Sequence, residues 1–168
     1  MPPDPDELLA QADALAGKPS PTQTDLRRAI SSAYYAVFHF CLAAAADMVF
    51  GAAARPTAGY SVAYRSVDHA RLRGLCEQLK GAKPQNDVPI IPAGGYGRMA
   101  DFARLAGSLY EERISADYDP SRSYTAAEVR VVISNARQAI TWFRSCTEEQ
   151  QEAFLTMLLF KQRNAPAP

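Results

Sequence analysis

Apolar residues recur at three- and four-residue spacing along almost the whole chain and do not alternate over any stretch, so the pattern predicts helices and no strands. Asp4 before Pro5 pairs an N-cap side chain with the residue favoured at the first helical position. Leu8, Leu9, Ala12 and Leu15 follow at helical spacing until Gly17. Ser20 with Gln23 reads as a capping box that opens a second helix running unbroken to Phe50 and Gly51, about 28 residues. A third helix is expected from Val62 to Lys80 through Val67, Ala70, Leu75 and Leu79. Lys83 to Gly95 holds three prolines and two glycines in thirteen residues, so 82–97 is expected to be a loop. Met99, Phe102, Leu105, Ala106 and Leu109 define a fourth helix from Arg98 to about Ala116. The pair Thr125 and Glu128 opens a fifth, and Thr147 with Gln150 a sixth that runs from Glu148 to about Arg163. The expected fold is all-α, an antiparallel bundle of about six helices in one domain over 1–163, with a disordered tail over 164–168.

The second helix changes character around its circumference. At 100° per residue, Leu26, Ile30, Ala33, Val37, Phe40, Cys41, Ala44 and Met48 share one side, which is expected to face the core. Almost opposite lie Arg28, Ser32, Tyr35 and His39, within about 40° of one another. Such a stripe is either a solvated face or part of a site. Its reach is limited, because Arg28 and His39 stand about 16 Å apart along the axis and cannot share one phosphate. The sixth helix is apolar on nearly all sides from Phe154 to Phe160, which suits a core helix but is expected, at a chain end, to contribute to self-association with a second subunit.

Composition narrows the function. The 168 residues carry 18 basic and 18 acidic side chains, so the net charge is zero, and any nucleic-acid binding has to come from a local cluster. Four lysines stand against fourteen arginines, which favours forked recognition of phosphate or carboxylate over diffuse attraction. Cys41, Cys76 and Cys146 are widely separated and odd in number, so they are expected to be buried thiols rather than a disulfide frame or zinc ligands. The first residues carry no basic and apolar leader, and no unbroken apolar run reaches about 18 residues, so a cytoplasmic protein with no membrane span is expected.

Familiar chemistries leave little trace. No phosphate-binding glycine loop is present, and Gly94-Gly95-Tyr96-Gly97 lacks the preceding strand such a loop needs. No His-Glu-x-x-His or Glu-x-x-His spacing suggests a metal, so neither metal nor cofactor is expected. Ser31 and Ser32 lie within a helix rather than on a strained elbow, which speaks against a hydrolase triad.

Two segments carry a resemblance. The second helix reads Arg28-Ala-Ile-Ser-Ser-Ala-Tyr-Tyr-Ala-Val-Phe-His39, and the end of the fourth reads Glu111-Glu-Arg-Ile-Ser-Ala-Asp-Tyr-Asp119. Together, over about residues 20–145, they resemble the HEPN superfamily of small helical nucleotide-binding domains, in particular a bacterial branch with an R-A-x-x-x-A-Y-Y-A-x-F-H helix and a later A-D-Y-D segment. The resemblance implies a helical bundle, usually a homodimer, without a metal or cofactor. Many members are metal-independent ribonucleases in toxin–antitoxin or defence systems. Their arginine steadies phosphate charge, and a histidine four to six residues later moves the 2′-hydroxyl proton. Other members bind partners, notably nucleotidyltransferases.

Carried over by position, the motif arginine is Arg113, but Tyr118 stands where the histidine would be. Tyrosine ordinarily titrates near pH 10 and makes a poor general base at neutral pH, although it donates hydrogen bonds to phosphate. The expectation is therefore a groove containing Arg113 that binds RNA, a nucleotide or a partner protein such as a nucleotidyltransferase or antitoxin, with Arg28, Ser32, Tyr35, Asp117 and His69 as binding candidates. The alternative is an endoribonuclease using Arg113 with Tyr118 or His39. A plainer account stays open: Arg113 and Asp117, four residues apart, form an ordinary helical ion pair, and Asp68-His69-Ala70-Arg71 is a solvated face.

Overall fold

Helix starts follow the side chains that can satisfy unpaired backbone N–H groups. In the computed structural model, which describes residues 2–80 and 88–160, α1 (Pro5–Ala16) is capped by Asp4, and α2 (Gln23–Phe50) by a reciprocal box between Thr22 and Asp25. Thr57 caps α3 (Ala58–Arg65), and Asp68 caps α4 (His69–Leu79). Gly97 precedes α5 (Arg98–Tyr118) with φ +47° and no side-chain cap. The boxes Thr125–Glu128 and Thr147–Gln150 open α6 (Ala126–Ser145) and α7 (Glu148–Leu159). A short 3-10 turn spans Ala52–Ala54.

Most of the expected elements are present, with four corrections. The box that opens α2 belongs to Thr22 and Asp25, not to Ser20 and Gln23; Gln23 instead accepts from the backbone N–H of Tyr124 at 2.9 Å and donates to its carbonyl at 2.8 Å. The single helix expected over 62–80 is two helices broken at Ser66–Asp68, because the Asp68 carboxylate accepts from the Arg71 amide and starts a new helix. The described helices therefore number seven rather than six. The last helix stops at Leu159, and Arg71 donates from its guanidinium to the carbonyls of Met157, Leu158 and Phe160 at that end. Residues 161–163, and the tail over 164–168, lie outside the described residues, as does 82–87 of the expected loop; 88–97 is non-helical as anticipated.

The architecture is all-α, with α2 at its centre. It packs against α1, α3, α5, α6 and α7, while α4 closes on α5 and α7. Ala29, Ala33, Ala36, Ala45 and Ala46 of α2 are fully buried, and their small side chains let neighbouring helices approach closely. Phe102, Phe143 and Phe154, from α5, α6 and α7, meet edge to face with ring centroids 5.2–5.8 Å apart, the arrangement that aromatic quadrupoles favour. The three cysteines are buried free thiols, as expected.

By length and mean hydropathy α2 could cross a membrane, a point the search for an unbroken apolar run missed; here its apolar side chains form the centre of the bundle. The apolar run of α7 is likewise covered within the chain. Ala153, Phe154, Leu155, Met157 and Leu158 are buried, and Phe160 beyond the helix end is exposed. A second subunit is not needed to account for it.

The A-D-Y-D corner is held by Arg27. Its Nη1 donates to the Ala116 carbonyl at 2.6 Å, and its Nη2 to the carbonyls of Asp119, at 2.9 Å, and Arg122. These acceptors include the unpaired end of α5, which a forked cation satisfies in a way a lysine cannot. Replacing Arg27 by Ala should cost about 2 kcal/mol of stability, and Arg27→Lys should recover less than half of it, measured by urea unfolding.

Candidate functional site

Burying α2 on nearly every side obliges its polar residues to find partners, and those near its middle find them on α3, α4 and α5. The centre of the arrangement is Tyr35. Arg113 donates from Nη2 to the Tyr35 hydroxyl at 3.2 Å and lies over the ring at 5.7 Å from its centroid. His39, one turn further along α2, stacks on Tyr35 at 5.8 Å with 22° between planes, and His69 of α4 meets the same ring edge-on at 5.7 Å. The only two histidines of the chain thus converge on one tyrosine beside Arg113.

Each histidine is positioned by a tyrosine. His39 Nδ1 is 2.6 Å from the Tyr64 hydroxyl of α3, and His69 Nδ1 is 2.8 Å from the Tyr34 hydroxyl of α2. His69 also packs on Phe38 at 4.0 Å between centroids. Partial burial lowers the pKa of both rings. The nearby His69 lowers that of His39 further, and the Arg113 charge lowers that of His69. Both are neutral at pH 7, and each can accept a proton. Burial raises the Tyr34 hydroxyl strongly and pushes Tyr64 up to about 12, so both stay protonated, and each donates to or accepts from its imidazole according to the ring's tautomer.

Arg113 is held from the other side by Asp117. Nε lies 2.8 Å from Asp117 Oδ2, in an ion pair too bent to count as a hydrogen bond, and the Ser31 hydroxyl donates to Asp117 Oδ1 at 2.6 Å. Burial works against the guanidinium charge, but the Tyr35 hydrogen bond and the Asp117 charge outweigh it, and the Arg113 pKa goes up. Nη1 has no hydrogen-bond partner among the described residues. Tyr118, 68% exposed, covers the outer face of the guanidinium at 5.5 Å. The plain ion pair anticipated from the sequence is present, and it sits inside a larger cluster.

The stripe expected on α2 does not act as a unit. Tyr35 and His39 belong to the cluster, whereas Arg28 is exposed and Ser32, 9% exposed, donates to Gln11 Oε1 of α1 at 3.0 Å. Ser32 therefore faces the core rather than a groove. The expected solvated face at 68–71 holds for Asp68, which caps α4, and for Ala70, both exposed, and is corrected for His69, which joins the cluster, and Arg71, which caps α7. Sequence reasoning missed Ser31, Tyr34 and Tyr64. The first two sit among the quoted motif residues, but nothing local marks Tyr64 as a partner of His39. Among the described residues no group of His, Cys, Asp and Glu could hold a metal ion.

Chemically, the cluster offers a forked cation with one unpartnered nitrogen, two neutral imidazoles and several phenols. That set can bind an anion and exchange a proton with it. No family model matches the chain, nor does any curated protein or any solved structure.

The two depressed histidines make stability depend on pH. Above pH 6.5 both folded and unfolded chains hold neutral imidazoles. Below it the unfolded chain binds more protons, so stability falls as pH drops toward the depressed folded values. The thermal midpoint should decline between pH 6.5 and about 5, above the range where ordinary carboxylates titrate. In His39→Gln with His69→Gln, melting curves across the same range should lose most of that slope.

Proposed function

We propose that this chain is a HEPN-like domain of the cytoplasm that binds RNA, or a nucleotide, at the cluster around Arg113. The observation that carries the reading is the convergence of Arg113, His39 and His69 on Tyr35. Phosphate suits these groups. A guanidinium offers a charge-assisted fork, and the free Nη1 can meet an oxygen that the Tyr35 hydroxyl or an imidazole also contacts. Zero net charge is compatible with such binding, because the attraction needs only a local cation, and a homodimer of the HEPN kind doubles it. Asp117 acts in this reading as the resident anion that holds Arg113 in place and competes with phosphate for it.

A second reading is favoured by the neutral state of both histidines. A neutral imidazole that shares a tyrosine with a cation is equipped to take a 2′-hydroxyl proton while the arginine steadies the developing charge. His39 would then do the work of the absent motif histidine, and Tyr118 would donate a hydrogen bond. That would make the protein a metal-independent endoribonuclease.

Binding of a fluorescent single-stranded RNA, followed by anisotropy at two salt concentrations in EDTA, tests the first reading. Arg113→Ala should weaken binding at least tenfold, or about 1.4 kcal/mol. Asp117→Asn should tighten it severalfold, because it removes the competing charge. No RNA binding by the wild-type protein at high concentration overturns the reading. Gel analysis of the same mixtures decides the second: fragments that form in EDTA and vanish in Arg113→Ala and His39→Ala establish cleavage, and intact RNA excludes it.

A further inference from the structure

The His39 imidazole connects the Arg113 cluster to a concave surface. Its Nδ1 partner, Tyr64, also lines a cavity of about 230 Å³ between the N-terminal segment and α3, together with Pro2, Pro3, Arg55, Tyr60 and Arg65. Among the described residues no carboxylate lines this cavity, and the nearby Asp47 is engaged by Arg55 and by the Tyr60 hydroxyl. Arg55 is already neutralised by Asp47, which its Nη2 meets at 2.6 Å. Arg65 is exposed and donates only from Nε, to the Ser61 carbonyl at 3.2 Å, so its charge has no acidic partner among the described residues. The cavity therefore combines an uncompensated guanidinium, the half-buried Tyr64 ring and proline faces in a space suited to one planar group and an attached anion, while Tyr60 is buried beneath it.

Its position relative to the first site is defined by a run of rings. From Arg113 the contacts pass to Tyr35 at 5.7 Å, from Tyr35 to His39 at 5.8 Å, and from His39 to Tyr64 at 6.0 Å with the planes only 2° apart. Tyr60 continues the run at 6.4 Å. We propose that the cavity at Arg65 and Tyr64 is a second subsite of the same RNA site, taking the phosphate and base of a nucleotide further along a single strand that has another of its phosphates held at Arg113. The inference rests on the RNA-binding reading. Phosphate fits because a free arginine with no acid nearby is an anion site. A base fits because sequence-tolerant single-strand binding combines a cationic track with aromatic rings. The Tyr64–His39 hydrogen bond adds a consequence: a nucleotide seated at Tyr64 touches the group that positions His39.

Two subsites predict a dependence on length. With Arg65→Ala, Arg65→Glu and Arg113→Ala, binding of adenosine monophosphate would be measured by calorimetry and that of a fluorescent single-stranded octaribonucleotide by anisotropy, beside Arg130→Ala on the exposed face of α6. Arg65→Ala should weaken octanucleotide binding about fivefold and lower its salt slope by about 0.7, the loss of one phosphate contact on a single strand. Arg65→Glu should weaken it further. Both should weaken mononucleotide binding less than octanucleotide binding, because a mononucleotide can still bind at Arg113 without spanning both subsites, whereas Arg113→Ala weakens both ligands and Arg130→Ala neither. Since Arg65 is exposed, its variants should melt as the wild type does. Octanucleotide binding unchanged in both Arg65 variants but lost in Arg113→Ala overturns the second subsite and leaves the RNA reading standing. Failure of the wild type to bind either ligand overturns both.

Discussion

Burial of α2 on almost every side is the constraint from which the rest of the structure follows. Along its middle, a helix of 28 residues that packs against α1, α3, α5, α6 and α7 and meets α4 through His69 leaves its polar side chains no solvated face to which they can retreat. An unpaired hydroxyl or imidazole in such a place costs more than its hydrogen bond returns, so each polar residue requires a partner on a neighbouring element. Ser32 finds Gln11, Ser31 finds Asp117, Tyr34 finds His69 and His39 finds Tyr64. The cluster around Arg113 consists of these satisfied groups on the side of α2 where the covering helices leave Tyr35 and both histidines half-buried rather than enclosed.

The same constraint explains why the histidines are neutral and the arginine charged. Partial burial disfavours charge on every group, but Arg113 is paired directly with a carboxylate, and Asp117 is itself held by Ser31. The imidazoles have phenols for partners, which stabilise the neutral ring as well as the charged one, so burial decides their state first, and Arg113 lowers His69 further against a smaller opposing pull from Asp68. One permanent cation and two neutral proton acceptors around one tyrosine is a division of roles set by which partner each residue meets.

Arg27 and Arg71 show how the arginine-rich composition is spent. Each folds its guanidinium over the carbonyl end of another helix, Arg27 at the end of α5 and Arg71 at the end of α7. Both are structural staples, and neither is open to a ligand in the manner of Arg65. The preference for arginine over lysine, read from composition as a sign of phosphate recognition, thus has a second cause in helix termini that need a forked donor.

Much of the fold was legible because it is local. Asp4, Thr125 and Thr147 announce their helices through hydrogen bonds spanning two or three residues, and the 3.6-residue period marks the core faces of α5 and α6. The break between α3 and α4 escaped notice because apolar spacing continues across it while Asp68 restarts the helix. The motif marked Arg113, Tyr35 and His39 as residues of interest. Their meeting, and the part played by Tyr64 and His69, depended on the packing angles of α3, α4 and α5 against α2. Sequence determined which residues had to be buried and which helices would carry them. Tertiary structure decided which buried polar groups became one another's partners, because a pairing such as His39 with Tyr64 joins residues 25 positions apart and leaves no periodicity in the chain between them.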